Sequence, residues 1–164
     1  MRKIWCIACI ALLCISCATS EAVKQARAER QLKEAAIVEK GIESKDFKIN
    51  VNYMYPLGGN PKQLSTLYCV EVKGDSINSY LPYIGRAYSV PYGGGKALNF
   101  EGRILRYSAK KVKADHTVVE MQVVNEEAEY FYTLDIFDNG STTIDVVSHN
   151  RDSIRFSGNM EMKE

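Results

Sequence analysis

The stretch Tyr130-Phe131-Tyr132-Thr133-Leu134-Asp135-Ile136-Phe137-Asp138-Asn139-Gly140-Ser141-Thr142-Thr143-Ile144-Asp145-Val146-Val147-Ser148 reads as two strands joined by a tight turn. Its apolar residues recur with a period of two, which places them on one face of a pleated strand. Tyr132, Leu134 and Ile136 share a face on one arm, with Ile144 and Val146 across from them on the other. Asn139-Gly140 is a frequent hairpin pair, because both residues tolerate the positive φ angles of a type I′ turn.

Working outward, the same period appears at Phe47, Ile49, Val51, Tyr53 and Tyr55, with Lys48, Asn50 and Asn52 facing the other way. With the hairpin arms at Tyr130–Phe137 and Thr142–Ser148, further strands are expected around Leu67–Lys73, Leu98–Tyr107, Thr117–Val124 and Ser153–Ser157. Asn125-Glu126-Glu127 and His149-Asn150-Arg151 read as further tight connections. Short consecutive strands with short turns define a mainly β domain, a small antiparallel barrel or sandwich of about seven strands. The pattern does not choose between those two closures.

Upstream, Ser20 is suited to capping a helix, Glu21 to its first turn, Lys40 to its last, and Gly41 to a left-handed stop. A helix over roughly 21–40 is therefore expected before the β domain, with a thin apolar stripe of Ala28, Leu32, Ala35 and Ala36. It is either a spacer of about 30 Å or a solvated helix lying on the domain.

The N-terminus is of another kind. Met1, Arg2 and Lys3 form a short positive segment, and the thirteen residues Ile4–Ser16 are apolar apart from the last. A permanent span needs about 20 apolar residues, so the run fits a cleaved secretory signal better. It ends in Cys14-Ile15-Ser16-Cys17, which resembles a bacterial lipobox, with Cys14 standing where Leu is usual. This divides the chain into a signal peptide at 1–16, a lipidated Cys17 with a helical spacer to residue 44, and a β domain at 45–164. The anchor would hold the protein to a membrane through acyl chains on Cys17, whose burial contributes about 0.8 kcal/mol per methylene. After Cys17 the chain reads Ala-Thr-Ser-Glu-Ala, without a dense acidic cluster, which favours a periplasm-facing location over the cell surface.

Composition fits one soluble domain in 164 residues, with 46% hydrophobic and 25% charged side chains. Setting aside Arg2 and Lys3 leaves 19 basic against 20 acidic groups, so no net field draws the mature chain to nucleic acid. Cys6, Cys9, Cys14 and Cys17 imitate metal-ligand spacing but lie in one apolar run with no fold around them, so no metal is assigned. Only Cys17 and Cys69 outlast processing, which leaves Cys69 without a disulfide partner.

The two histidines, His116 and His149, stand near turns and outside any nucleophile motif. Gly93-Gly94-Gly95-Lys96 continues with Ala97 in place of the Ser or Thr of a phosphate loop. Glu126, Glu127 and Glu129 read as solvated turn residues without calcium-loop spacing. No catalytic residue and no cofactor is assigned.

The segment from Asp75 to Lys96 resists both periods and reads as a long aromatic connection. Tyr with Arg is the chemistry of recognition surfaces, so Tyr83, Arg86, Tyr88 and Tyr92 are the candidate contact residues. The bland alternative is that Tyr83, Ile84 and Tyr88 plug one end of the β core. The expected function is a non-enzymatic binding or interaction module meeting an envelope protein or small ligand. The alternative is a carrier holding an apolar small molecule or lipid inside a β barrel.

Tyr80-Leu81-Pro82-Tyr83-Ile84-Gly85-Arg86-Ala87-Tyr88, then Pro91-Tyr92-Gly93-Gly94-Gly95, and later Asn150-Arg151 with Gly158, resemble the domain-of-unknown-function family 4251. The likeness covers roughly Lys45 to Met160. The resemblance implies export, lipidation and a β-rich fold in gut Gram-negative bacteria, and carries no catalytic residues with it.

Overall fold

A computed structural model describes the backbone of residues 2–89 and 95–162, and within those ranges the side chains from Glu21 onward. Residues 34–164 cluster into one compact unit and residues 1–33 into another, the latter wholly helical where described. Helix α1 spans Arg2–Ser44, and eight strands follow: β1 Asp46–Pro56, β2 Lys62–Lys73, β3 Ser76–Tyr80, β4 Asn99–Lys113, β5 His116–Val124, β6 Glu129–Phe137, β7 Ser141–Ser148 and β8 Arg151–Met160. Each strand pairs antiparallel with its sequence neighbour, and β8 pairs with β1, so the sheet closes as an up-and-down barrel. Closure leaves few open backbone edges, which a sandwich of the same strands would expose.

The barrel is filled. Val70, Val119, Leu134, Ile136, Ile144 and Phe156 have 0% of their surface exposed, so no space large enough for a water touches them from inside or outside. Eight strands enclose an interior just wide enough for side chains. Each fully buried residue of this type contributes roughly 1.5–3 kcal/mol. Every buried apolar side chain among the described residues lies between Val38 and Met160, so residues 34–164 carry their own core.

The hairpin that decides the fold forms in the expected register, with Leu134 opposite Ile144 and Tyr132 opposite Val146. Its turn is of another type. Asn139 does not take a positive φ; Gly140 alone does, at 80°, and the Gly140 N–H donates to Phe137 O at 2.8 Å. This is a tight turn followed by a left-handed glycine, a three-residue hairpin loop. Asn139 contributes through its side chain instead, accepting from the Ser141 N–H at 3.0 Å.

Four other expectations are corrected. In β1 the register shifts between Val51 and Tyr53. Phe47, Ile49 and Val51 point inward, but the bulge then turns Met54 in and leaves Tyr53 and Tyr55 40% and 37% exposed. An extra residue inverts the alternation beyond it. The helix does not stop at Gly41, which is buried where an added Cβ would lie 2.5 Å from Met160 Cε. The left-handed residue is Lys45, at φ 53°, directly after Ser44. The helical stripe also differs: Leu32 is 72% exposed, while Val38 and Ile42 belong to the core.

The fourth correction is β3, an eighth strand inside the segment that reads as irregular. Ile77 and Ser79 both point inward. Ser79 is polar, which hides the alternation.

The two ends of the barrel are closed differently. At one end, helix residues 34–44 supply Val38 and Ile42 to the core, and the Tyr107 hydroxyl donates to Ile42 O at 2.8 Å. At the other, the described residues on either side of 90–94 cover the opening through buried Leu81 and Leu98, joined by Leu81 N–H donating to Leu98 O at 3.2 Å.

Candidate functional site

The β3–β4 connection brings together residues from three turns. Segment 86–88 runs beside the start of β8: Ala87 bridges Arg151, the Asp152 N–H donates to Arg86 O at 3.0 Å, and the Tyr88 N–H donates to Asn150 O at 2.8 Å. The Asp152 carboxylate fixes the segment from the side. It accepts the Tyr88 hydroxyl at 2.5 Å and the Arg86 N–H at 2.9 Å. Those two donors hold its carboxyl below the usual aspartate range, Tyr88 first and then the Arg86 backbone.

Tyr83 packs beneath. Its hydroxyl donates to Arg86 O at 2.9 Å and lies 3.2 Å from Asp152 O, while its ring carries the Arg151 guanidinium at 5.5 Å from the centroid. Burial, with the neighbouring Asp152 charge, raises the Tyr83 phenol above its ordinary pKa.

Arg151 is the charged group at the centre. Its side chain is 5% exposed, and Nη2 lies 3.7 Å from Glu127 Oε2, itself on a side chain 16% exposed. The other Glu127 oxygen accepts the Lys96 N–H at 2.9 Å. The β5–β6 turn that presents Glu127 is ordered by Asn125, whose Oδ1 accepts the N–H groups of Glu127 and Ala128, both at 2.8 Å. Glu127 therefore does not read correctly as a solvated turn residue; it ties the β3–β4 connection to β8 through Arg151.

Of the candidate contact residues, the structure brings Tyr83, Arg86 and Tyr88 together and gives them unequal roles. Tyr83 is half-buried and structural, Arg86 is exposed, and Tyr88 is 69% exposed with its hydroxyl on Asp152. Ile84 is 43% exposed, so it does not plug the barrel. Tyr92 lies outside the described residues, as does the Cys17 side chain. Arg151, Asp152 and Glu127 were not legible as site residues. Their one signal is position: Arg151 and Asp152 open β8 directly after a turn, and Glu127 lies in the turn before β6.

The remaining polar groups do not converge on this place. His116 pairs with Asp135 at 3.1 Å and stacks on Phe137 at the helix-closed end. His149 stands edge-on to Phe131 in the β7–β8 turn. Cys69 is a half-buried free thiol on β2. Among the described residues, no group of three His, Cys, Asp or Glu is placed to hold a metal ion. A broad cleft of 1290 Å³ runs over β2–β4 to the β5–β6 turn, with Lys73, Arg103, Glu71 and Glu101 on its walls. Its charges alternate in sign. Among the described residues, no helix is long and apolar enough to cross a membrane.

Taken together, these features define a class: a small, solid, up-and-down eight-stranded barrel with a helix at one end and a pinned aromatic segment at the other. The model for the domain of unknown function DUF4251 matches residues 29–160, and the chain belongs to that family. The crystal structure of a DUF4251 family protein from Bacteroides eggerthii DSM 20697 is similar in fold, with a TM-score of 0.57 at 14% identity, covering 77% of this chain and 86% of that one. No curated protein matches the chain.

Proposed function

We propose that this chain is a lipid-anchored protein of the bacterial cell envelope, facing the periplasm, whose barrel is a rigid scaffold that presents the 83–88 segment to a partner and performs no chemistry. The observation that carries the binding role is the pairing of order with exposure. Asp152 takes hydrogen bonds from the Arg86 backbone and the Tyr88 hydroxyl, yet Ile84 and Tyr88 leave 43% and 69% of their surface to solvent. A segment already held in one conformation loses little entropy on binding, and aromatic and arginine side chains are the groups that anchor interfaces. A carrier needs interior space, and the packed interior counts against that reading.

The anchor rests on the sequence alone: the positive Met1–Lys3 segment, the apolar run to Ser16, and Cys17. Palmitate labelling of the wild type and of Cys17→Ser in the native host tests it. Label in the first and none in the second is expected, and an unlabelled wild type overturns the anchor. The partner is tested by cross-linking in intact envelopes with a photoreactive residue at position 84. A discrete adduct that Arg86→Glu removes is expected. No adduct, or one indifferent to Arg86, overturns the binding role.

A further inference from the structure

The chain is close to neutral, but its charge is unevenly placed. Between Arg103 and Lys113, β4 holds Arg103, Arg106, Lys110, Lys111 and Lys113 with no acidic residue among them, and all five are exposed. The same strand exposes Leu105 and Val112 by 47% and 52%. β3 pairs with β4 only from Asn99 to Arg103, so beyond Arg103 the ladder of β4 continues with β5 alone, while β5 is held in the barrel by its full-length pairing with β6. This part of β4 lies at the helix-closed end: Tyr107 donates to Ile42 O, and Lys45 Nζ lies 5.2 Å from the Tyr107 ring. Here the chain from the N-terminus enters the 34–164 unit, through residues 34–44.

We infer that β4 from Arg103 to Lys113 is a membrane-contact surface that binds anionic phospholipid headgroups, with Leu105 and Val112 entering the interfacial layer. The inference rests on the anchor reading, which keeps the barrel close to a membrane. Charge complementarity selects the occupant, since a cationic strand interrupted by exposed aliphatic side chains suits a surface both anionic and partly apolar. Nucleic acid offers the first property without the second.

Residues 34–164, which contain the whole described core, make the test independent of acylation. They are sedimented with vesicles of phosphatidylcholine alone and of phosphatidylcholine mixed with phosphatidylglycerol. Co-sedimentation is expected only with the anionic vesicles, weakening as salt is raised. The triple variant Lys110→Glu, Lys111→Glu, Lys113→Glu is expected to lose on the order of a hundredfold in affinity. Its melting temperature controls for folding, and Lys24→Glu, Lys33→Glu in the full chain controls for charge elsewhere. Equal binding to both vesicles, no binding to either, anionic binding indifferent to the triple reversal, or binding to DNA without binding to vesicles overturns the inference. Failure of palmitate labelling with intact vesicle binding removes the anchor alone.

Discussion

The Tyr132 hydroxyl donates to Ser79 Oγ at 3.0 Å inside the barrel, and Ser79 Oγ in turn donates to Leu98 O at 2.8 Å. Both side chains are buried, at 1% and 0% exposure. The relay joins β6 to β3 and to the end of the chain segment that covers the opening. Ser79→Ala strands a buried phenol donor and is expected to cost about 1–3 kcal/mol, whereas Tyr132→Phe leaves the Ser79–Leu98 bond intact and costs about 0.5–1.5 kcal/mol. Urea unfolding of the two variants gives the order. The reverse order contradicts the relay.

The Arg151–Glu127 pair is expected to behave as a buried ion pair. Glu127→Ala leaves the guanidinium uncompensated and costs about 3–5 kcal/mol, while Arg151→Met combined with Glu127→Leu costs much less. A double-mutant cycle by chemical denaturation measures the coupling. Additive losses mean that the 3.7 Å separation carries no interaction.

Alkali is expected to unfold the barrel by way of its phenols. Burial pushes Tyr107 up to about 12 from 10.0, and pushes fully buried Tyr132 further in the same direction. A folded-state pKa raised above the unfolded value contributes stability that is complete below pH 10 and is lost as pH rises through the folded value, near 12 for Tyr107. The urea midpoint should stay level from neutrality to about pH 10 and fall above it. A shallower fall in Tyr107→Phe checks the assignment.

Asp152 has the opposite sign. Its carboxyl is held low by Tyr88 and the Arg86 N–H, so the contribution is present above the ordinary aspartate pKa and is lost as pH falls through the depressed folded value. In Tyr88→Phe the carboxyl should titrate closer to its usual range, read by NMR on the side-chain carbon. An unchanged titration means that the hydroxyl does not hold the segment.

Gly158 sits where β8 crosses β1 beside the Val51/Tyr53 bulge, and an added Cβ would fall 2.0 Å from Asn50 O. The obstacle is backbone, which cannot swing aside, so Gly158→Ala is expected to destabilise by at least about 1–3 kcal/mol. Thermal unfolding measures it.

How far the sequence discloses all this depends on the residue. Alternation locates β5, β6 and β7 because their inward positions from Val119 to Val146 are apolar except for Thr142. It misses β3 because Ser79 faces inward as a polar group, satisfied only by Tyr132 and Leu98, which lie far along the chain. It misreads the end of β1 because one bulge residue inverts the pattern. Tyr83, Arg86 and Tyr88 are legible by composition. Their fixing by Asp152 and the burial of Arg151 are not, since turn residues look solvated until another loop covers them.

The central claim is that the barrel is solid and acts through its surface. Native mass spectrometry of the protein purified from its own envelope, set against the denatured mass, tests this most directly. Identical masses, with any acyl mass retained covalently in both, are the result expected. An apolar molecule present in the native spectrum and released on denaturation contradicts the claim.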